Sequence, residues 1–110
     1  MQKEKKSTLK YLLQNYYHQD VWDDMNTHEE VWRFFVRRES IGTVSALKDE
    51  VKLFLNQDPQ KIYILVGSEN SGGLWFNEAK EAYQWLLALN SFLDLVNIGK
   101  LKNLSAEKDI

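Results

Sequence analysis

The sequence predicts an all-α, single-domain bundle of about five helices, and three observations carry that prediction. Apolar residues recur at intervals of three and four in successive windows along the chain. The windows are punctuated by residues that start or stop helices, namely Ser7, Thr27, Gly42, Thr43, the Asp58-Pro59 pair and Asn77. A chain of 110 residues with 44% hydrophobic side chains can pack one core and has no room for a second. The domain is therefore read as residues 1–110, with a helical core over 7–96 and frayed tails on both sides.

Ser7 can cap the first helix, in which Leu9, Leu12, Leu13, Tyr16 and Tyr17 form one stripe. The helix is expected to weaken from His18 to Asp20, and Val21-Trp22 then supplies a bulky anchor. Thr27, followed three residues later by Glu30, forms a capping box in which each side chain satisfies a free backbone N–H. The helix that it opens carries Val31, Trp32, Phe35 and Val36 inward. Arg33, Arg37 and Arg38 occupy much of the other side and suit its negative C-terminal end. Phe34 is left over. Gly42 is expected to end this segment and Thr43 to cap the next, whose stripe is Val44, Leu47, Val51, Phe54 and Leu55.

Asp58 followed by Pro59 reads as a cap and a proline at the first helical position. The run Ile62-Tyr63-Ile64-Leu65-Val66 is ambiguous, since its β-branched residues also suit a buried strand over 61–66. A short helix is preferred, because the chain offers no second strand to pair with. Ser68 to Gly73 reads as a flexible loop, and Leu74-Trp75-Phe76 docks aromatic bulk ahead of a cap at Asn77. The last helix runs to about Val96. It carries two stripes, one through Ala79, Ala82, Tyr83, Leu86, Asn90 and Leu93 and the other through Trp85, Leu89, Phe92 and Val96. A helix apolar on two sides belongs at the centre of its bundle. From Asn97 onward the chain is expected to fray, although Ile98, Leu101 and Leu104 could continue a packed turn.

Charge and composition narrow the function. The net charge is −2, and Lys3, Lys5, Lys6, Lys100, Lys102 and Lys108 all lie in the tails. Between Ser7 and Val96 acids outnumber bases, and Asp20, Asp23, Asp24, Glu29 and Glu30 crowd one stretch that no Lys or Arg interrupts. Such a face repels nucleic acid and favours a basic protein partner. Taken one at a time, these residues also fit an ordinary solvated turn. The absence of cysteine excludes a disulfide framework and a thiolate metal site. The polar opening Met1 to Lys6 is no export signal, and no apolar run approaches the roughly 20 residues of a membrane span, so a cytoplasmic location is expected.

No catalytic, metal or cofactor site is read from the motifs. The Gly67 to Gly73 stretch resembles a phosphate-cradling spacing only superficially, because it lacks the Lys-Ser/Thr pair and holds Glu69. His18 and His28 are the only histidines, and no metal-ligand spacing joins them. No serine stands on a nucleophile-elbow motif. Trp32 and Trp85 read as core. Trp22 and Trp75, at segment junctions, are open to a role as interface anchors.

The stretch Tyr16-Tyr17-His18-Gln19-Asp20-Val21-Trp22-Asp23-Asp24 resembles the opening motif of a family of bacterial immunity proteins against contact-dependent growth inhibition toxins. The family pattern is an aromatic pair, His-Gln-Asp, and then usually an aromatic; here Val21 takes that place and Trp22 follows. The resemblance continues loosely through the helices Glu29 to Ser40 and Val44 to Leu55, and resumes at Tyr83-Gln84-Trp85-Leu86, which is similar to a Tyr-x-x-Trp-Leu element. It covers roughly residues 9 to 95 and matches poorly between Ile62 and Gly73. It implies a non-enzymatic cytosolic protein that binds the C-terminal toxin domain of a large secreted effector and blocks it stoichiometrically, many such toxins being nucleases with basic clefts. Asp20, Trp22, Asp23, Asp24, Glu29 and Glu30 are then the candidate toxin-binding residues, since carboxylates can imitate phosphates and steer association. His18, Gln19 and Asp20 have a structural reading alongside, as side chains that bond free backbone groups where the first helix ends. A small adaptor or regulatory protein-binding module unrelated to toxins is the alternative function.

Overall fold

The computed structural model describes residues 7–96, and within them the chain forms six α-helices. They are α1 (Thr8–Tyr16), α2 (Val21–Asp24), α3 (His28–Arg38), α4 (Ile41–Phe54), α5 (Pro59–Glu69) and α6 (Ala79–Leu95). The fold is all-α, as the periodicity predicts; the additional short helix is α2, which winds the Val21-Trp22 anchor into a single turn. The tails expected to fray, with Ile98, Leu101 and Leu104, lie outside the described residues.

The start of α1 is held twice. Ser7 Oγ accepts from Lys10 N at 3.2 Å, and Glu50 of α4 reaches across to accept from Ser7 Oγ at 2.6 Å and Leu9 N at 2.7 Å. A carboxylate from a neighbouring helix thus satisfies a free N–H of the first turn and complements its positive end. Helix α3 begins at the predicted cap, with Thr27 Oγ1 accepting from Glu30 N at 3.2 Å. The reciprocal arm differs from a standard capping box: Glu30 Oε1 takes the N–H of Asn26, at 2.7 Å, and not that of Thr27.

Two predicted boundaries move. Ser40, not Thr43, caps α4, accepting from Thr43 N at 3.1 Å, so Gly42 lies inside the helix. Ser40 wins because the extended backbone needed at a cap falls there, immediately after Glu39 closes α3. At α6 the cap position is Glu78, without a side-chain cap bond, while Glu81 reaches back to accept from Asn77 N at 2.7 Å.

Residues 61–66 are helical, within α5. Asp58 Oδ1 accepts from Gln60 N at 3.0 Å with Pro59 in the first turn. The burial pattern is that of a helix: Ile62 and Val66 are buried, whereas Ile64, which a strand would place on the same face, is 60% exposed. The helix continues through Gly67 and Ser68 to Glu69, so the predicted loop is shorter and starts at Asn70.

Helices α5 and α6 pack most extensively on each other, α4 and α3 also pack against α6, and α1 lies against α3, α4 and α5. The core draws Leu9, Leu12 and Leu13 from α1, Phe35 from α3, Leu47 from α4, Ile62 from α5, and Leu86 and Leu89 from α6, all essentially inaccessible to water. Both stripes of α6 are used: Ala82, Leu86 and Leu93 on one, Trp85 and Leu89 on the other. No polar or charged residue is buried among the described residues. None of the described helices is long and apolar enough to cross a membrane.

Candidate functional site

The segment after α1 is built around one carbonyl. Tyr17 closes the helix, and its carbonyl oxygen accepts from Ser71 N at 3.0 Å and Gly73 N at 2.9 Å. The loop following α5 is thereby stitched to the turn following α1. Asn70 shapes that loop from within, its Oδ1 accepting from Gly72 N at 2.7 Å and Leu74 N at 3.2 Å. Ser71 Oγ donates to Gln14 O at 2.7 Å. Two glycines make the approach feasible. Gly72 has φ +101°, the left-handed region that favours glycine, and a Cβ on Gly73 would fall 2.3 Å from His18 O.

On this base the candidate residues take their places. His18 O accepts from Val21 N at 3.0 Å, starting α2, and His18 Nδ1 accepts from Asp20 N at 3.2 Å. Val21 points into the core, and Trp22 donates Nε1–H to Gly73 O at 2.7 Å. With the inward face of α2 fixed by these two residues, Asp20, Asp23 and Asp24 are exposed to solvent. Among the described residues none of the three forms an ion pair. The side chains of Gln19 and Asp20 make no hydrogen bond there either, so within His18-Gln19-Asp20 only the histidine ring bonds the backbone of the turn.

Glu29 and Glu30 behave differently. Glu29 pairs with Arg33 one turn on, at 3.4 Å, both side chains largely exposed, a geometry worth only a few tenths of a kcal/mol. Glu30 is committed to the start of α3 through Asn26. The acidic stretch therefore divides into three outward carboxylates, Asp20 at the cap of α2 with Asp23 and Asp24 within it, and two that serve α3.

Behind α2 lies an aromatic cluster that periodicity alone does not reveal. The buried Tyr17 hydroxyl lies 3.0 Å from His28 Nδ1 and accepts from Trp85 Nε1 at 3.4 Å. The His28 ring stacks on Trp32 at 6.0 Å and meets Trp22 edge-on at 5.1 Å. Burial holds the His28 pKa below its ordinary value and pushes the Tyr17 phenol up. At neutral pH both rings are uncharged, which suits packing and not proton transfer. His18 is on the exposed turn, in different surroundings from His28. Among the described residues no three His, Asp or Glu side chains cluster as a metal site.

Two concavities border α2. The larger, about 550 Å³, is lined by Tyr11, Tyr16, His18, Asp24, Phe34 and Arg38 among others. Here Tyr11 and Tyr16 both donate to Glu39 Oε2, the former at 2.7 Å, and Arg38 lies over the Phe34 ring at 5.6 Å. The smaller, about 360 Å³, is lined by Trp22, His28, Gly72, Gly73, Leu74, Trp75 and Phe76. Trp32 and Trp85 are buried, whereas Trp22 is 41% and Trp75 79% exposed. The expected docking of Leu74-Trp75-Phe76 holds for Leu74 and Phe76, which pack on the core, and not for Trp75, which is left in water.

The family model described as CdiI immunity protein aligns with residues 5–93. No curated protein and no solved structure matches the chain.

Proposed function

From the premise that this chain belongs to the CdiI immunity protein family, we propose that it binds and neutralises the cognate toxin domain of a contact-dependent growth inhibition effector. It acts in the cytoplasm, by stoichiometric blocking and not by catalysis. The partner is the toxin's C-terminal domain, a nuclease with a basic surface.

The observation that carries this reading is the set of outward carboxylates at α2 and its cap. Asp20, Asp23 and Asp24 are exposed, unpaired among the described residues, and mounted on a turn whose position is fixed by Val21 and Trp22. Leaving like charges together and unsatisfied lowers the stability of the free protein. A positively charged partner relieves that repulsion and gains long-range steering toward the site. Occupying a nuclease's basic cleft with carboxylates excludes the phosphates of its substrate.

The test is co-expression of this chain with the toxin domain encoded beside it. Rescue of growth together with co-purification of a one-to-one complex is expected. A folded chain that neither rescues growth nor retains the toxin domain refutes the proposal.

A further inference from the structure

Resting on that reading, we propose that the cleft between Trp22 and Trp75 is the anchor pocket of the toxin-docking surface and receives an arginine or lysine side chain of the basic partner. Trp75 is the starting point. An indole that is 79% exposed is costly to leave in water, and nothing among the described residues covers it.

The loop that carries it is held in place before any partner arrives. Gly73 N and Ser71 N bond Tyr17 O, Leu74 N bonds Asn70 Oδ1, and Gly73 O receives Trp22 Nε1. Leu74 beside it is buried. The backbone leading into the indole is therefore tied down in the free protein, and Asn77 N, two residues beyond it, bonds Glu81 Oε1 at 2.7 Å, so docking on Trp75 forfeits little conformational entropy. Tryptophan is enriched among the few residues that carry most of the binding energy of an interface.

The lining selects the occupant. Trp22, Trp75 and Phe76 present aromatic rings to a cavity of about 360 Å³, a size that fits a long side chain. No Lys or Arg lines it. The one titratable ring, His28, has its pKa lowered by burial, which favours the neutral form. Aromatic faces attract cations, and arginine stacks on indole with particular ease. Asp23 is the immediate neighbour of Trp22, and Glu78, exposed and without a cap bond, follows Phe76 by two residues. A cation entering the cleft thus meets aromatic walls, while the carboxylates stand outside its lining, at neighbouring positions of the same segments. The charge that steers the partner and the rings that hold it occur on the same short segments.

The experiment measures affinity of the purified toxin domain for wild type, Trp75→Ala, Trp75→Phe and Trp75→Arg. Trp75 is outside the core, so all three variants are expected to fold with unchanged melting temperature. Binding should weaken about 30-fold or more in Trp75→Ala and further in Trp75→Arg, with Trp75→Phe retaining most of the affinity. A double-mutant cycle of Trp75→Ala against alanine substitutions of the toxin's arginines and lysines should show coupling to at least one of them. Wild-type affinity in Trp75→Ala, or coupling only to apolar toxin residues, overturns the anchor while leaving the immunity function standing. Failure of the wild-type protein itself to bind the toxin domain removes the function instead. Self-association of the free chain that is lost in Trp75→Ala would assign the patch to a second copy and also overturn the proposal.

Discussion

Replacing Gly73 with alanine tests the junction on which the candidate surface is built. The new Cβ would stand 2.3 Å from His18 O, 2.7 Å from Val21 Cγ1 and 2.8 Å from the Tyr17 carbonyl carbon. Two of these three are backbone atoms, which cannot rotate away as the end of a side chain can. The loop must therefore retreat from the end of α1 by about 1 Å. Overpacking of this kind costs about 1–3 kcal/mol. Retreat also weakens the bonds from Ser71 N and Gly73 N to Tyr17 O and from Trp22 Nε1 to Gly73 O, each worth about 1 kcal/mol. A loss of roughly 3–5 kcal/mol is expected, a large part of the ~5–15 kcal/mol that holds an ordinary domain together. Gly67→Ala is the internal control. It lies on the exposed side of α5 with nothing within 4 Å of the added Cβ, so it should stabilise by about 0.5–1 kcal/mol. Urea unfolding followed by tryptophan fluorescence reads both. A Gly73→Ala midpoint within about 0.3 M of wild type, or a Gly67→Ala loss larger than that of Gly73→Ala, would refute the reasoning.

Glu50→Gln should cost about 1 kcal/mol by weakening the charged cap over Ser7 and Leu9, and adding Ser7→Ala should cost less than the sum of the two single changes in thermal melts. Tyr17→Phe should cost about 1–2 kcal/mol, because His28 and Trp85 lose the hydroxyl between them. Acid sensitivity follows from His28. Its folded-state pKa is lowered, so as pH falls through the ordinary value of 6.5 the unfolded chain takes up the proton first. Stability from this residue is full above that value, declines below it and levels off once pH passes the folded-state pKa. The fall in urea midpoint from pH 8 to pH 5 should be smaller in His28→Gln than in wild type. Asp20→Asn, Asp23→Asn and Asp24→Asn together should raise the melting temperature slightly by removing their mutual repulsion, slow association with the toxin domain and flatten its salt dependence. Unaltered association kinetics would detach the acidic face from the interface. Glu30 is unsuited to the same test, since its loss also uncaps α3.

Helix number and type were legible where local rules and burial agree. Leu9, Leu12 and Leu13 lie on one face at helical spacing, and a face of that kind has nowhere to go but into a core. Thr27 and the Asp58-Pro59 pair act through neighbours two or three residues away, so their signals survive without a tertiary structure. The boundary at Ser40 was less legible, because Ser40 and Thr43 are chemically equivalent caps and the choice depends on where α3 stops. Residues 61–66 were ambiguous in isolation, and packing of α5 along α6 settles them as helix.

Sequence by itself determined the all-α architecture, the acidic character of the segment from Asp20 to Glu30 and membership of a family recognisable from Tyr16 to Asp24. The tertiary structure showed that Asp20, Asp23 and Asp24 face outward with no ion pair among the described residues, whereas the commitment of Glu30 to the start of α3 was already legible in its spacing from Thr27. Tertiary structure alone brought Trp22 and Trp75 to one cleft, through a loop that crosses from the end of α5 to the carbonyl of Tyr17. The physical reason is range. Periodicity, capping and the contacts of Glu29 and Glu30 are decided within one or two turns of chain, whereas which indole is anchored and which stays in water depends on contacts between residues some fifty positions apart, as between Trp22 and Gly73.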